Sequence, residues 1–228
     1  MNDEALLREK AATLTRMLNL QGTIGMFGHV SVRVPGTDKC FISPGASTDK
    51  TVVRPEHMFV YNIDGTIIEH PGGLIPLEWR IHTQIHRDRP DAMCVVHLHA
   101  PHARALGVAG KELKPVFLHG SFLCTGVPTW NNPRLVVNDA QAADLSRTLG
   151  RHRCAQMRGH GSVVVGASAE EALFACTFLE ENAQIQLQAD GRRIALSEAE
   201  ARDGAEGTFN PRLFPLLWAY YERKVKLD

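Results

Sequence analysis

Two histidines, His97 and His99, stand one residue apart at the end of the apolar run "MCVVHLH". Residues two apart in a β-strand point to the same side, so a strand ending here would present both imidazoles together. Imidazole is a good ligand for Zn, Mn, Fe or Co. The pair predicts part of a metal site, although two polar residues bonded to the backbone at a strand end would have the same spacing.

A third histidine, His160, lies between Gly159 and Gly161, just before the apolar run "SVVVG". Glycines on both sides allow unusual backbone conformations and a close approach to other groups. We therefore predict that a tight loop delivers His160 as a third metal ligand. A turn that merely contains a histidine is the alternative.

Glu78 is the carboxylate that would complete this set. We predict that it lies in the first turn of a helix beginning at Pro76, on the same face as the apolar Ile81 and Ile85. A carboxylate on a core-facing stripe needs a partner, because an unpaired buried charge is costly. A metal is one such partner, and arginine or histidine is the other. Three imidazoles and a carboxylate would bind a divalent ion acting as a Lewis acid.

A candidate anion-binding turn follows in "FISPGASTDK", which contains Ser43, Gly45 and Ser47. Backbone N–H groups and hydroxyls in such a turn can hold a carboxylate or phosphate, and a simple surface turn is the alternative. His29, beside Gly28 in a glycine-rich corner, is a further candidate for ligand contact.

His82 and His86 stand at i and i+4, a spacing that can bind metal on a helix. The segment "HTQIH" lacks the glutamate of the zinc-protease pattern H-E-x-x-H, which argues against that class of hydrolase. We interpret these two residues as helix-packing residues.

Helix and strand patterns alternate along residues 1–228 without a repeat or a linker-like change in composition, which predicts one α/β domain. The apolar periodicity of residues 3–20 predicts a first helix, and Ser168 opens a long later one. Residues 205–228 form an aromatic tail interrupted by Pro215.

The composition excludes several function classes. The 228 residues carry no formal net charge and no long basic run, which argues against nucleic-acid or anionic-membrane partners. The N-terminal residues lack the pattern of a secretory signal, and no stretch has the roughly 18 apolar residues of a membrane span. Five scattered cysteines without a C-x-x-C motif are typical of reduced thiols, so we expect a cytoplasmic protein.

The motifs "GHVSVR", "ISPGAS", "VYNIDG", "PLEWRIHTQIHRDRPDAMCVVHLH" and "RGHGSVVVG", in this order, resemble the class II aldolase/adducin family over about residues 5 to 190. The resemblance implies a single three-layer α/β/α domain with a mixed, largely antiparallel sheet. It also implies a homotetramer with active sites between subunits, to whose interface residues 205–228 would contribute. Tyr220 and Tyr221 do not align clearly with the tail tyrosine of the aldolases.

On the family pattern, His97, His99 and His160 match the metal ligands, and Glu78 matches the catalytic acid/base. One divalent ion per subunit (Zn, Mn, Fe or Co) is therefore expected. The sugar-phosphate aldolases carry serines just before this glutamate to hold the phosphate, and here those positions are Pro76 and Leu77.

The residues of the motifs "GHVSVR" and "ISPGAS" resemble those of the decarboxylase branch of the family, whose members act on hydroxylated aromatic or pyridine dicarboxylic acids. We therefore expect a metal-dependent decarboxylase, with His29 and the turn containing Ser43, Gly45 and Ser47 holding a second carboxylate or hydroxyl. Arg80 and Arg212 are weaker candidates for that role. A sugar-phosphate aldolase or epimerase (of the fuculose or ribulose phosphate type) is the first alternative, and a non-catalytic scaffold like adducin is the second.

Overall fold

The computed structural model describes residues 3–46, 48–189 and 195–227. Its α-helices are α1 (Asp3–Leu20), α2 (Trp79–Asp88), α3 (Pro101–Val108), α4 (Asp139–Leu149), α5 (Ala169–Gln188), α6 (Glu198–Thr208) and α7 (Phe214–Glu222). Its strands are β1 (His29–Arg33), β2 (Lys39–Ile42), β3 (Phe59–Asn62), β4 (Ile67–Glu69), β5 (Cys94–Leu98), β6 (Thr129–Trp130), β7 (Cys154–Met157) and β8 (Gly161–Gly166).

The strands form one sheet in the order β4-β3-β2-β1-β5-β8-β7-β6. Every neighbouring pair is antiparallel except β6 and β7, which run parallel. The mixed, largely antiparallel sheet predicted from the sequence is confirmed.

Helices cover both faces of the sheet, and alternate residues of each strand face opposite layers. On β5, Val96 packs in the cluster that contains residues of α1 and α5, whereas Val95 packs with Ile81 and Ile85 of α2. All five residues of β5 are buried, as expected for a central strand covered on both sides. His97 shares the face of Val95, so it points towards α2.

Local sequence signals account for several helix ends. Asn138 and Gln141 form a capping box at the start of α4, and Gly150 ends the helix with φ +51°. The tail folds back on the main core, where Phe214 and Trp218 are buried beside Phe174. That residues 205–228 take part in a subunit interface stays a prediction.

Among the described residues, no helix combines the length and apolar character needed to cross a membrane.

Candidate metal centre

The two histidines at the end of β5 face each other. His97 is the fourth residue of β5, and His99 follows the last one, so both side chains leave the same face. Their Nε2 atoms are 3.1 Å apart. His97 is fully buried, and its Nδ1 donates a hydrogen bond to the carbonyl of Ser162 (3.2 Å), which leaves the Nε2 lone pair facing His99.

His160 reaches the same point from the turn between β7 and β8. Gly159 adopts φ +69°, a conformation that favours glycine, and the backbone N–H of His160 donates to the carbonyl of Met157 at 3.0 Å. A Cβ at Gly161 would overlap the carbonyl oxygen of Leu98. Both glycines are therefore required to seat His160, one by its backbone conformation and the other by close approach.

Glu78 completes the cluster. Its Oε2 lies 3.5 Å from His97 Nε2 and 3.4 Å from His160 Nε2, and its Oε1 accepts a hydrogen bond from the backbone N–H of Val136 at 2.8 Å. Burial alone would raise the pKa of Glu78. The hydrogen bond from His160, the electrostatic influence of His97 and the Val136 N–H together outweigh burial and lower this pKa to about 2.

The start of the helix differs from the prediction in one respect. Helix α2 begins at Trp79, and Glu78 is its N-cap rather than a residue of its first turn. The backbone of Glu78 lies outside the helical region (φ −101°, ψ 27°). Pro76 accepts a hydrogen bond from the N–H of Trp79, so a tight turn precedes the helix and places the carboxylate beside the histidines.

The donor set fits a divalent ion. Four ligands in a tetrahedron at about 2.0–2.1 Å from a metal would be separated by roughly 3.3–3.4 Å. The separations of His97 from His99, of His160 from Glu78 and of His97 from Glu78 are 3.1, 3.4 and 3.5 Å, close to that value, and the three histidines form one group of possible ligands. Burial, with a contribution from neighbouring histidines, lowers the pKa of His97 to about 3 and that of His99 to about 4 despite the opposing charge of Glu78. Facing imidazole lone pairs and a carboxylate call for a cation between them.

The cluster opens into a cavity of about 620 Å³. Glu78, His99 and His160 line it, and Arg104 of α3 is the one cationic side chain among the described residues that line it. No hydrogen bond or ion pair of the Arg104 side chain occurs within the described parts of the chain. The other walls are mainly apolar and include Phe27, Leu74, Ile75, Pro76, Leu77, Pro133 and Leu135.

The predicted substrate-binding residues are placed differently from one another. His29 is buried beside the cluster, with its ring centroid 5.0 Å from that of His97, and Gly45 lines the cavity. Ser43 is also buried, but its hydroxyl accepts the N–H of Val30 at 3.0 Å and does not line the cavity. Ser47 lies outside the described residues. Arg80 pairs with Asp139 at 3.0 Å and does not line the cavity.

Sequence reasoning did not identify Arg104 or the apolar wall. A signal for Arg104 was present, since α3 starts at Pro101, two residues after His99, and so begins close to the cluster. The wall residues Phe27, Leu77 and Leu135 come from separate loops, and their exposed fractions of 59%, 72% and 48% are high for large apolar side chains. Their common location follows from the fold alone.

Residues 8–187 match the family model "Class II Aldolase and Adducin N-terminal domain". The chain belongs to this family, as the motifs predicted. It is 29% identical over 220 residues to a 3,4-dihydroxyphthalate decarboxylase of Arthrobacter keyseri, covering 89% of this chain and 88% of that protein.

Solved structures share the fold. The crystal structure of an aldolase II superfamily protein from Pseudomonas syringae superposes with a TM-score of 0.86 at 23% identity, over 99% of this chain and 94% of that chain. An L-fuculose 1-phosphate aldolase from Glaciozyma antarctica PI12 gives a TM-score of 0.79 at 21% identity, over 97% and 88% of the two chains. The fold is therefore that of class II aldolases.

Proposed function

We propose that this protein is a metal-dependent carbon–carbon lyase that decarboxylates a hydroxylated aromatic dicarboxylic acid, of the dihydroxyphthalate or hydroxypyridine dicarboxylate type. The observation that carries the proposal is the cavity that joins the histidine–glutamate cluster to apolar walls and to Arg104. The likeness to a 3,4-dihydroxyphthalate decarboxylase supports the same assignment.

The walls of the cavity suit a planar ring. Apolar side chains such as Leu77 and Leu135 can cover the faces of an aromatic substrate, which gains free energy by leaving water. A ring with two carboxylates needs a cation for the carboxylate that does not leave. Arg104 lies on the cavity wall, and its guanidinium makes no hydrogen bond to the residues that the structure describes, so it can bind a carboxylate through two parallel hydrogen bonds.

His97, His99 and His160 would hold the divalent ion (Zn, Mn, Fe or Co), with Glu78 beside it. When bound, the ion would supply Lewis-acid stabilisation of the negative charge that develops as the carbon–carbon bond breaks. The reaction also requires the transfer of one proton, and a side chain of the protein supplies the acid/base group that carries it.

Glu78 is the acid/base in this proposal. Its low pKa keeps the carboxylate ionised before the reaction, and the Val136 N–H holds Oε1 so that Oε2 faces the cluster. Oε2 would take the proton of a substrate hydroxyl. Carbon dioxide then leaves, the bonding electron pair stays on the ring carbon, and Glu78 returns the proton to that carbon. The ring oxygen recovers a proton from solvent, so the cycle consumes one proton for each carbon dioxide released.

A sugar-phosphate aldolase or epimerase is the second candidate, because the fold is shared with an L-fuculose 1-phosphate aldolase. Pro76 and Leu77 argue against it, since both line the cavity just before Glu78 and neither offers a hydroxyl to a phosphate. We also propose a homotetramer, as the family resemblance implies, and its test is the mass of the protein in solution.

The test is carbon dioxide release by protein that has been stripped of metal and reloaded separately with Zn, Mn, Co or Fe(II). The panel contains ortho-hydroxy aromatic acids and hydroxypyridine dicarboxylic acids, and fuculose and ribulose phosphates are assayed in parallel for aldol cleavage. Metal-dependent carbon dioxide release from one acid supports the decarboxylase. Cleavage of a sugar phosphate without decarboxylation would replace it with the aldolase.

A further inference from the structure

A chain of hydrogen bonds runs from the cluster into the protein through four buried side chains. His29 Nδ1 is 2.6 Å from His82 Nε2, and His82 Nδ1 is 2.7 Å from the hydroxyl of Ser31. That hydroxyl is 2.8 Å from His86 Nε2, and His86 Nδ1 is 2.8 Å from the carbonyl oxygen of Ala92. The exposed fraction of each of these four side chains is 2% or less. His82 and His86 therefore do more than fill space between α2 and the sheet.

The hydrogen bond between His86 and Ala92, at the inner end of this chain, determines which atom donates in each of the other hydrogen bonds. A carbonyl oxygen only accepts, so His86 must carry a proton on Nδ1. Burial lowers the pKa of His86 to about 4, which keeps the ring neutral and leaves Nε2 as a lone pair. The hydroxyl of Ser31 must then donate its one proton to His86 Nε2.

The remaining hydrogen bonds follow from that donation. Because the proton of Ser31 is already used, its oxygen accepts from His82 Nδ1, and His82 Nε2 is left as a lone pair. This lone pair accepts the proton on His29 Nδ1. A neutral His29 therefore carries no proton on Nε2.

His29 borders the site. His29 lies opposite His97 in the pairing of β1 with β5, and a ring nitrogen of His29 lies within 4.8 Å of ligand atoms of both Glu78 and His97. In the described structure, Nε2 of His29 makes no hydrogen bond. It is an acceptor at the edge of the cluster without a donor.

We infer that the chain His86–Ser31–His82 holds His29 in the tautomer with a bare Nε2, so that His29 accepts a hydrogen bond from a substrate hydroxyl and disfavours a carboxylate there. A lone pair attracts an O–H and repels an anionic oxygen. His29 would thus be a specificity residue, and Ser31, His82 and His86 are positioning residues. The identity of the substrate hydroxyl rests on the proposed function, whereas the tautomer does not.

The first experiment measures the tautomer directly. In zinc-loaded protein with ¹⁵N-labelled histidine, two-bond ¹H–¹⁵N correlations report which ring nitrogen carries the proton. We expect the Nδ1–H form for His29, His82 and His86. An Nε2–H form of His29 would overturn the inference, and so would loss of bound zinc in His29→Ala, because His29 would then be a metal ligand.

The second experiment breaks the chain at Ser31. Ser31→Ala removes the hydroxyl that donates to His86 and accepts from His82. Ser31→Thr keeps a hydroxyl and is the matched control. In Ser31→Ala we expect unchanged zinc content, mixed tautomers at His29, and a KM for the hydroxy acid raised on the order of tenfold relative to the variant with threonine. An unchanged His29 tautomer in a folded Ser31→Ala would overturn the inference.

These measurements separate the two proposals. If the three histidines show the expected tautomers but no acid on the panel is decarboxylated, the proposed function fails and the hydrogen-bond chain stands. If an acid is decarboxylated and His29 carries its proton on Nε2, the proposed function stands and the role of the chain is wrong.

Discussion

The protein contains two groups of histidines that meet at one point of the sheet and differ in how their nitrogens are paired. In the metal-centre group, the Nε2 atoms of His97 and His99 face each other at 3.1 Å, beside the carboxylate of Glu78. In the buried chain, both nitrogens of His82 and of His86 have partners of the opposite hydrogen-bonding type.

The two groups are joined where His29 of β1 pairs with His97 of β5. The comparison teaches that the partners of a histidine, and not its position in a motif, decide its role. A group whose lone pairs converge requires a cation, whereas a group whose donors and acceptors alternate is complete without one. Each of the following predictions tests this difference.

The largest effect is expected for the metal ligands. His97→Ala and His160→Ala should each lose bound metal and lower turnover by about 10³-fold or more, because Lewis-acid stabilisation is worth several kcal/mol. Metal content by elemental analysis and carbon dioxide release are the measurements. His57→Ala, which alters a half-buried histidine outside both groups, is the control. Full metal occupancy in either ligand variant would mean that the ligands are wrongly assigned.

The buried chain should respond to acid rather than to metal removal. Burial lowers the pKa of His86 from 6.5 to about 4 and that of His82 well below 6.5. The unfolded protein therefore binds more protons than the folded protein between pH 6.5 and 4. The free energy of unfolding has its full value above pH 6.5 and decreases as the pH falls below it.

For His86 alone the loss amounts to about 3 kcal/mol across that range. Urea unfolding of the metal-free protein between pH 7 and 4 measures it, and His86→Gln should show a pH dependence weaker by one proton. A free energy of unfolding that does not change over this pH range would contradict the statement that His82 and His86 are buried in their neutral form.

Glu78 belongs to the metal-centre group by position, and in the proposed mechanism it transfers the proton. Glu78→Gln should keep bound metal and lower kcat by roughly 10²-fold or more, the usual effect of losing an acid/base. Metal content and kcat measured on the same preparation give the result. Turnover close to that of the unaltered protein would remove Glu78 from the mechanism.

The smallest effect is expected at Arg104, which touches neither group. Arg104→Gln should raise KM for a dicarboxylic acid by about 10-fold, in line with one charge-assisted hydrogen bond, and leave metal content and the histidine tautomers unchanged. Arg134→Gln, an exposed arginine near the cavity that does not line it, is the matched control. Equal KM values for the two variants would exclude Arg104 from carboxylate binding.

Much of the fold could be predicted because its signals are local. The histidines of "VVHLH", the cap residue Ser168 and the glycines around His160 are signals that each involve a few neighbouring positions. The structure has a strand, a helix start and a tight turn at these three places. The family prediction is confirmed by the match over residues 8–187. The roles of the individual site residues stay predictions.

Other features depended on contacts between distant segments. Ser43 is part of a suggestive turn, yet its hydroxyl is used by the N–H of Val30, and nothing in "ISPGAS" indicates that pairing. The pattern "HTQIH" allows either helix packing or metal binding. Its hydrogen bonds to Ser31 and His29 arise because odd-numbered residues of β1 face α2 across about 50 positions of sequence.

The sequence by itself determined which ligand types exist and in which local element each one stands, because strand alternation and glycine conformations are set by neighbouring residues. The tertiary structure decided which nitrogens stay bare. The partners Ser162 of His97 and Ser31 of His82 and His86 lie 65, 51 and 55 positions away in sequence. Which of its two nitrogens such partners occupy decides whether a histidine can serve as a ligand, a relay or a substrate acceptor.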